Sequence, residues 1–185
     1  MASKVISVNV GLPRNVIWKG RPVTTSIFKM PLKGAVRVQR LGLEGDKQAD
    51  LTVHGGLDKA IYAYPSEHYE FWKNELNGID LPWGMFGENL TTEGLIEDAV
   101  YIGDEFQIGT ARLFITQPRL PCYKLGLKFG RDDMIKRFLT SNRSGFYFGV
   151  SKEGVVEAGS LIQLINRGAG NSTVAETIQA ILSGS

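Results

Sequence analysis

The residue in this chain whose type and setting most clearly allow chemistry is Cys122, the single cysteine among 185 residues. It sits in Gln117-Pro118-Arg119-Leu120-Pro121-Cys122-Tyr123-Lys124, between two prolines and two cations. The prolines stiffen the loop, and nearby positive charge favours a thiolate over a thiol. A thiolate is a nucleophile, a soft metal ligand, or both. A lone cysteine is also an ordinary small buried hydrophobe, so both readings stand at this point. One cysteine excludes an intramolecular disulfide and Cys-rich structural zinc, and with only His54 and His68 a His-based zinc site is poorly supported.

A second cluster runs Gly42-Leu43-Glu44-Gly45-Asp46-Lys47-Gln48-Ala49-Asp50, then Val53-His54-Gly55-Gly56-Leu57-Asp58-Lys59. Its acids do not have the spacing of an EF-hand, and Asp residues that order a loop by accepting backbone amides are the better reading. Gly55-Gly56 lets backbone approach a ligand closely, with His54 able to donate a hydrogen bond, whereas His68 lies in a helical pattern and reads as a packing or surface residue. A third candidate is Phe86-Gly87-Glu88-Asn89-Leu90-Thr91-Thr92, where the Asn89 amide suits either a heterocycle edge or a turn. Lys29 and Arg143 are isolated cations that can add positive charge to a pocket or stay solvated.

The elements that must position these residues are mostly strands. Lys4–Val10, Pro22–Phe28 and Ala35–Leu41 alternate, and Ala60–Tyr64 is a compact apolar run. Glu67–Leu76 places Tyr69, Trp72 and Leu76 on one helical face, closed by Asn77-Gly78. Tyr101–Ile108 and Ala111–Thr116, joined by Gly109-Thr110, predict a hairpin, and Ala158–Leu164 repeats its opening turn. Asp132–Leu139 reads as a short helix, and Thr173-Val174-Ala175-Glu176 as a capping box opening a last helix to Leu182, with 168–172 as its linker. The rest reads as turn-rich and polar.

Composition agrees with a single domain: 43% hydrophobic, 22% charged, net charge +2, and 22 glycines that suit many tight turns. Strands outnumber helices, so a mostly-β barrel outranks a doubly wound α/β sheet, and no dinucleotide or P-loop fingerprint opposes that. The small net charge argues against a dedicated nucleic-acid binder, although a local basic patch can hide inside it. No apolar run approaches 18 residues and no signal-peptide core is present, so a soluble cytoplasmic protein is expected.

Taken together, Gly45-Asp46, Asp50, His54-Gly55-Gly56, Phe86-Gly87-Glu88-Asn89-Leu90, Gly103-Asp104 and the Cys122 loop resemble the MOSC domain. This is the family named after the C-terminal domain of molybdenum-cofactor sulfurase. Their order and spacing are similar to its bacterial stand-alone, YiiM-like branch, over about residues 4–165. The resemblance implies a MOSC-type β-barrel of the pyruvate-kinase-barrel kind with a few peripheral helices. On that reading residues 1–167 form the barrel domain and 168–185 a short C-terminal helical tail. Gly159-Ser160 stands where the family has a second Gly-Asp, and the tail is short beside the three-helix appendage of longer members.

The resemblance further implies a molybdenum cofactor of the molybdopterin type, with Cys122 as both molybdenum ligand and catalytic residue. Lys29, Arg119 and Lys124 are then expected to neutralise its phosphate, with Arg143 as a further contact. His54, Gly55, Gly56 and Asn89 are expected to hold the pterin. The implied activity is molybdenum-dependent reduction of small N-hydroxylated compounds, such as hydroxylaminopurine base analogues, with electrons from a separate redox protein. A nucleic-acid polymer and a membrane are not expected as partners, and a homodimer is left open. Two other functions remain open: persulfide transfer through Cys122, and non-catalytic binding of the cofactor.

Overall fold

The computed structural model describes residues 2–47, 55–170 and 172–184. The chain begins with β1 (Lys4–Val10), β2 (Arg14–Trp18), β3 (Arg21–Thr25), β4 (Met30–Leu32), β5 (Val36–Gln39) and β6 (Gly42–Leu43). A 3-10 turn at Leu57–Lys59 leads into β7 (Ile61–Pro65), α1 (Glu67–Glu75) and β8 (Leu90–Glu93). The hairpin of β9 (Glu105–Ile108) and β10 (Ala111–Pro118) follows, then α2 (Tyr123–Phe129) and α3 (Met134–Thr140). Last come β11 (Phe146–Lys152), β12 (Gly154–Val156), β13 (Ile162–Asn166) and α4 (Val174–Ser183). The fold is mostly β, and among the described residues no helix is long and apolar enough to cross a membrane.

Eight strands form one sheet in the order β13-β9-β10-β11-β7-β8-β1-β4, a second sheet runs β12-β5-β6, and β2-β3 is a separate ribbon. All pairings are antiparallel except β7 with β8. The approach to β13 returns to β1: Lys4 bridges Leu161, Val5 N donates to Ser160 O at 2.9 Å, and Gly159 N donates to Val5 O at 2.8 Å. This is an isolated bridge with flanking bonds rather than a ladder, so the wall expected of a closed barrel is not continuous strand pairing.

Strand alternation sets up two cores. All five residues of β7 are buried, and because successive side chains point to opposite faces, Ile61 and Ala63 join the aliphatic core while Tyr62 and Tyr64 join an aromatic one. β11 does the same, with Phe146 and Phe148 on one side and Tyr147 on the other. The aromatic core is closed by α1, whose Tyr69 and Trp72 are buried, and by α2 and α3 through Leu125, Phe129, Met134 and Phe138.

Several expected elements form as read. β1 has the expected bounds, and α1 ends at Glu75 with Leu76 as its cap. The α4 capping box closes in both directions: Glu176 N donates to Thr173 Oγ1 at 3.1 Å, and Thr173 N to Glu176 Oε2 at 2.8 Å. In the β9–β10 turn Gly109 has φ 58°, and a Cβ there would lie 2.2 Å from Val155 O, so both conformation and space require glycine. The strand expected over Pro22–Phe28 ends instead at Thr25, where the chain leaves its β2 partner. β2, β4, α2 and β11 form in segments expected to be turn-rich.

The repeated opening turn is real. Asp104 Oδ2 accepts Tyr101 N at 3.0 Å, and Ser160 Oγ accepts Glu157 N at 3.0 Å, each reaching back three residues over a glycine with φ near 90°. Serine thus performs the acceptor part of the missing aspartate. Asp104 does more, since its buried carboxylate also accepts Gly168 N at 2.9 Å and Arg167 Nη1 at 2.8 Å. Urea unfolding should show Asp104→Ala destabilising by about 2–4 kcal/mol, because it strands buried amides, and Ser160→Ala by about 1 kcal/mol or less. Equal losses would contradict this division of labour.

Candidate functional site

Three segments of chain meet at one cleft. β10 ends at Pro118 and the chain turns through Arg119–Pro121 so that Cys122 caps the N-terminus of α2 in extended conformation. Opposite it, Thr25–Ile27 and Lys29 leave the β2–β3 ribbon, and the floor comes from Tyr62 on β7, Asn89 before β8 and Tyr147 on β11. Asp46, Lys59, Gly87 and Lys124 complete the lining, and the cleft holds about 630 Å³ of empty space out to its open mouth.

Arg119 lies beneath this cleft, buried at 6% exposure. Its guanidinium stacks 4.6 Å from the Tyr62 ring centre and 5.4 Å from that of Phe138, and Nη1 donates to Tyr62 Oη at 3.4 Å. Among the described residues no carboxylate forms an ion pair with it. Burial opposes its charge, but the oxygens of Tyr62 and Tyr147 and the Cys122 sulfur outweigh that, and its proton is held more tightly than in free arginine. The same burial raises both phenols above the usual tyrosine range, with Arg119 pulling the other way.

Lys29 is different because it has a partner. Its ammonium donates to Asp46 Oδ1 at 2.5 Å with both side chains buried. Burial still pushes the Lys29 ammonium below its ordinary range, with Asp46 pulling back. Asp46 also accepts Gly11 N at 2.7 Å and Asn89 Nδ2 at 3.0 Å, the loop-ordering behaviour expected of it. Asn89 has little left over for a ligand: its Nδ2 also donates to Asn9 O at 3.3 Å, and its Oδ1 accepts Tyr62 N at 3.1 Å. Its amide ties β1, β7 and the Asp46 loop together.

Of the residues expected at the site, Cys122, Lys29, Asn89, Arg119 and Lys124 share this cleft. Gly55 and Gly56 do not line it; they lead into the 3-10 turn that carries Lys59, with Gly56 at φ 89°. His54 and Asp50 lie outside the described residues. Arg143 is elsewhere: it stacks 3.8 Å over Phe71 and donates to Ser141 O at 2.8 Å, in a groove between α1 and α3. His68 is a packing residue, bonded to Glu97 at 2.7 Å and set edge-on to Tyr64.

Sequence reasoning missed Ser26, Tyr62 and Tyr147. Tyr62 was legible in principle, since in a strand that buries Ile61 and Ala63 it must face the opposite side. Ser26 lines the cleft, is 8% exposed, and among the described residues its Oγ has no hydrogen-bond partner. A buried hydroxyl left unbonded is costly, and a ligand atom in the cleft would satisfy it. Among the described residues no three His, Cys, Asp or Glu side chains gather as metal ligands. The thiol, the cations and the orphaned hydroxyl fit the molybdenum cofactor, which has its own sulfur ligands and an anionic phosphate.

Comparison with known proteins shows the family. The MOSC domain profile matches residues 50–163. The chain is 45% identical over 164 residues to the uncharacterised protein YflK of Bacillus subtilis, covering 89% of this chain and 74% of that one. It is 33% identical over 153 residues to a protein named "Reductase" from Gibberella moniliformis, covering 80% of this chain but only 27% of that longer protein. The crystal structure of YiiM from Geobacillus stearothermophilus superposes with a TM-score of 0.80 at 38% identity, over 97% of this chain and 83% of that one. By profile, sequence and structure, the chain belongs to the MOSC domain family.

Proposed function

We propose that this MOSC protein binds the molybdenum cofactor and reduces N-hydroxylated compounds in the cytoplasm, with Cys122 as the protein's ligand to molybdenum. The observation that carries the reading is the placement of the one thiol at a cleft that also holds a buried guanidinium with no carboxylate partner among the described residues and a hydroxyl unbonded among them. Membership in the MOSC family and the "Reductase" relative support it. The reaction balances as R–NHOH plus two electrons and two protons giving R–NH2 and water. When bound, the cofactor supplies a metal centre that exchanges oxygen and electron pairs.

The protein's own residues do the binding and orienting. Cys122 is held in place by the Pro118–Pro121 turn and by the start of α2, where Leu125 N donates to Cys122 O at 2.9 Å. Arg119 keeps a fixed positive charge behind the thiol, and Lys124, on the first turn of α2, presents a second one to the cleft. These two are the cations for the cofactor phosphate. Lys29 is already matched by Asp46, so its part is to close the cleft wall, and the Asn89 amide fixes the floor rather than reading a ring. Ser26 lines the same wall beside Lys29. Arg143 has no part in this set.

Cys122→Ser, purified from a host that makes the cofactor, should lose reduction of an N-hydroxylated substrate while keeping bound molybdenum, its circular dichroism and its melting temperature. Full turnover in that variant would contradict the ligand role. A gain of one sulfur at Cys122 after incubation with a persulfide donor, seen by intact mass, would instead favour sulfur transfer.

The two lysines should separate cleanly. Lys124→Met should lower retained molybdenum with little change in stability. Asp46→Ala, which leaves the Lys29 ammonium buried without its partner, should cost about 3–5 kcal/mol in urea unfolding. If Asp46→Ala were neutral in stability, the buried pair would not be what holds this wall.

A further inference from the structure

His68, Glu97 and Ser144 are buried polar residues that do not line the cleft. Burying such groups is costly unless hydrogen bonds replace the lost water, and the bonds that do so here lead, step by step, to Arg119. The Glu97 carboxyl group bonds in two directions. Its Oε2 lies 2.7 Å from His68 Nε2 on α1, and its Oε1 accepts Gly145 N at 2.7 Å, one residue before β11. Its backbone is fixed as well, since Glu97 O accepts Ala175 N at 3.0 Å in the first turn of α4.

Gly145 N belongs to the same peptide unit as Ser144 O, and that oxygen accepts a hydrogen bond from Tyr62 Oη at 2.9 Å. One peptide is therefore gripped from both sides, by a carboxyl oxygen at its N–H and by a phenol at its C=O. Having given its only proton to Ser144, Tyr62 Oη is left as an acceptor, and Arg119 Nη1 donates to it at 3.4 Å. The next carbonyl, Gly145 O, accepts Arg119 N at 3.2 Å. Backbone and guanidinium of Arg119 thus both depend on how the Ser144–Gly145 peptide is turned. Glycine at 145, with φ 61°, leaves that peptide freer to rotate than a residue with a Cβ would. Rotation by half a turn would strand Gly145 N, the Tyr62 hydroxyl and one Glu97 oxygen, all buried, so the carboxyl group and the phenol together select a single orientation. A buried polar network satisfied in this way rigidifies what it touches.

We propose that Glu97 is a positioning residue for Arg119: through the Ser144–Gly145 peptide and the Tyr62 hydroxyl it holds the guanidinium in one orientation behind Cys122. What anion the guanidinium then receives rests on the cofactor reading above; the positioning does not. Glu97 lies outside the cleft, so its effect reaches the site only along this chain of bonds.

The test reads Arg119 itself, by NMR on the full chain without cofactor, carrying 15N-labelled arginine and 13Cζ-labelled tyrosine. Glu97→Ala should speed exchange of the Arg119 Nε proton by at least about tenfold and shift the Tyr62 Cζ resonance. Glu97→Gln keeps an oxygen that can accept Gly145 N, so it should hold both signals near their wild-type values. Asp104→Ala, whose lost bonds run instead to Tyr101, Arg167 and Gly168, should move neither, which tells loss of position from general loosening. Unchanged Arg119 exchange in Glu97→Ala, equal acceleration in Asp104→Ala, or no rescue by Glu97→Gln overturns the proposal. Should Glu97→Ala fail to fold, Tyr62→Phe keeps the ring and cuts the chain of bonds at one atom. Arg119 exchange should accelerate in that variant too, and unchanged exchange there overturns the proposal as well. Molybdenum retained by wild type from a host that makes the cofactor tests the other reading separately. If none is retained the cofactor reading fails, and the Arg119 signals still decide the part played by Glu97.

Discussion

A full positive charge set inside an aromatic cluster is the constraint around which this site is built. Arg119 gives up water and has no carboxylate to replace it among the described residues; ring faces on Tyr62 and Phe138 and the phenol oxygens supply the compensation. Such compensation is partial, since cation–π contacts and neutral hydrogen bonds are weaker than an ion pair in the same surroundings. The site therefore favours an anion arriving from the open side, where the Cys122 sulfur already lies in the guanidinium's field. Binding energy for an anionic group is built in before the ligand arrives.

That arrangement depends on strand alternation. β7 and β11 each send one set of side chains to the aliphatic core and the other to the aromatic one, and Tyr62 and Tyr147 belong to the second set. A one-residue slip in either strand would exchange the faces and remove the phenols from Arg119. Gly145 guards this region, because at φ 61° its missing Cβ would lie 2.4 Å from Ala63 O, while its own carbonyl accepts Arg119 N at 3.2 Å. The opposite wall is fixed differently, by a buried lysine–aspartate pair and an asparagine amide whose bonds are spent on the protein.

Local patterns were legible where they did not depend on distant chain. The alternation of Lys4–Val10, the Tyr69/Trp72/Leu76 spacing and the Thr173 to Glu176 box all appear as expected because each is a property of consecutive residues. β11 was not legible: Phe146-Tyr147-Phe148-Gly149 is buried on both sides, so no polar face announces the strand. α2 was hidden by Gly126, an unpromising helix residue until its place is seen, where a Cβ would meet Arg131 O at 2.8 Å. For the site, the thiol and its flanking cations could be read from residue type, but Arg143 could not be excluded, because nothing in the sequence says that Phe71 occupies its guanidinium. Ser26 was equally present in the sequence and concealed as one among many serines.

The central claim is that Cys122 contributes a sulfur ligand to molybdenum. X-ray absorption at the molybdenum edge, on protein loaded with cofactor and compared with the similarly loaded Cys122→Ser variant, reads that ligand directly. The account predicts one more sulfur neighbour to molybdenum in the wild type than in the variant. An identical sulfur count in the two proteins would contradict it.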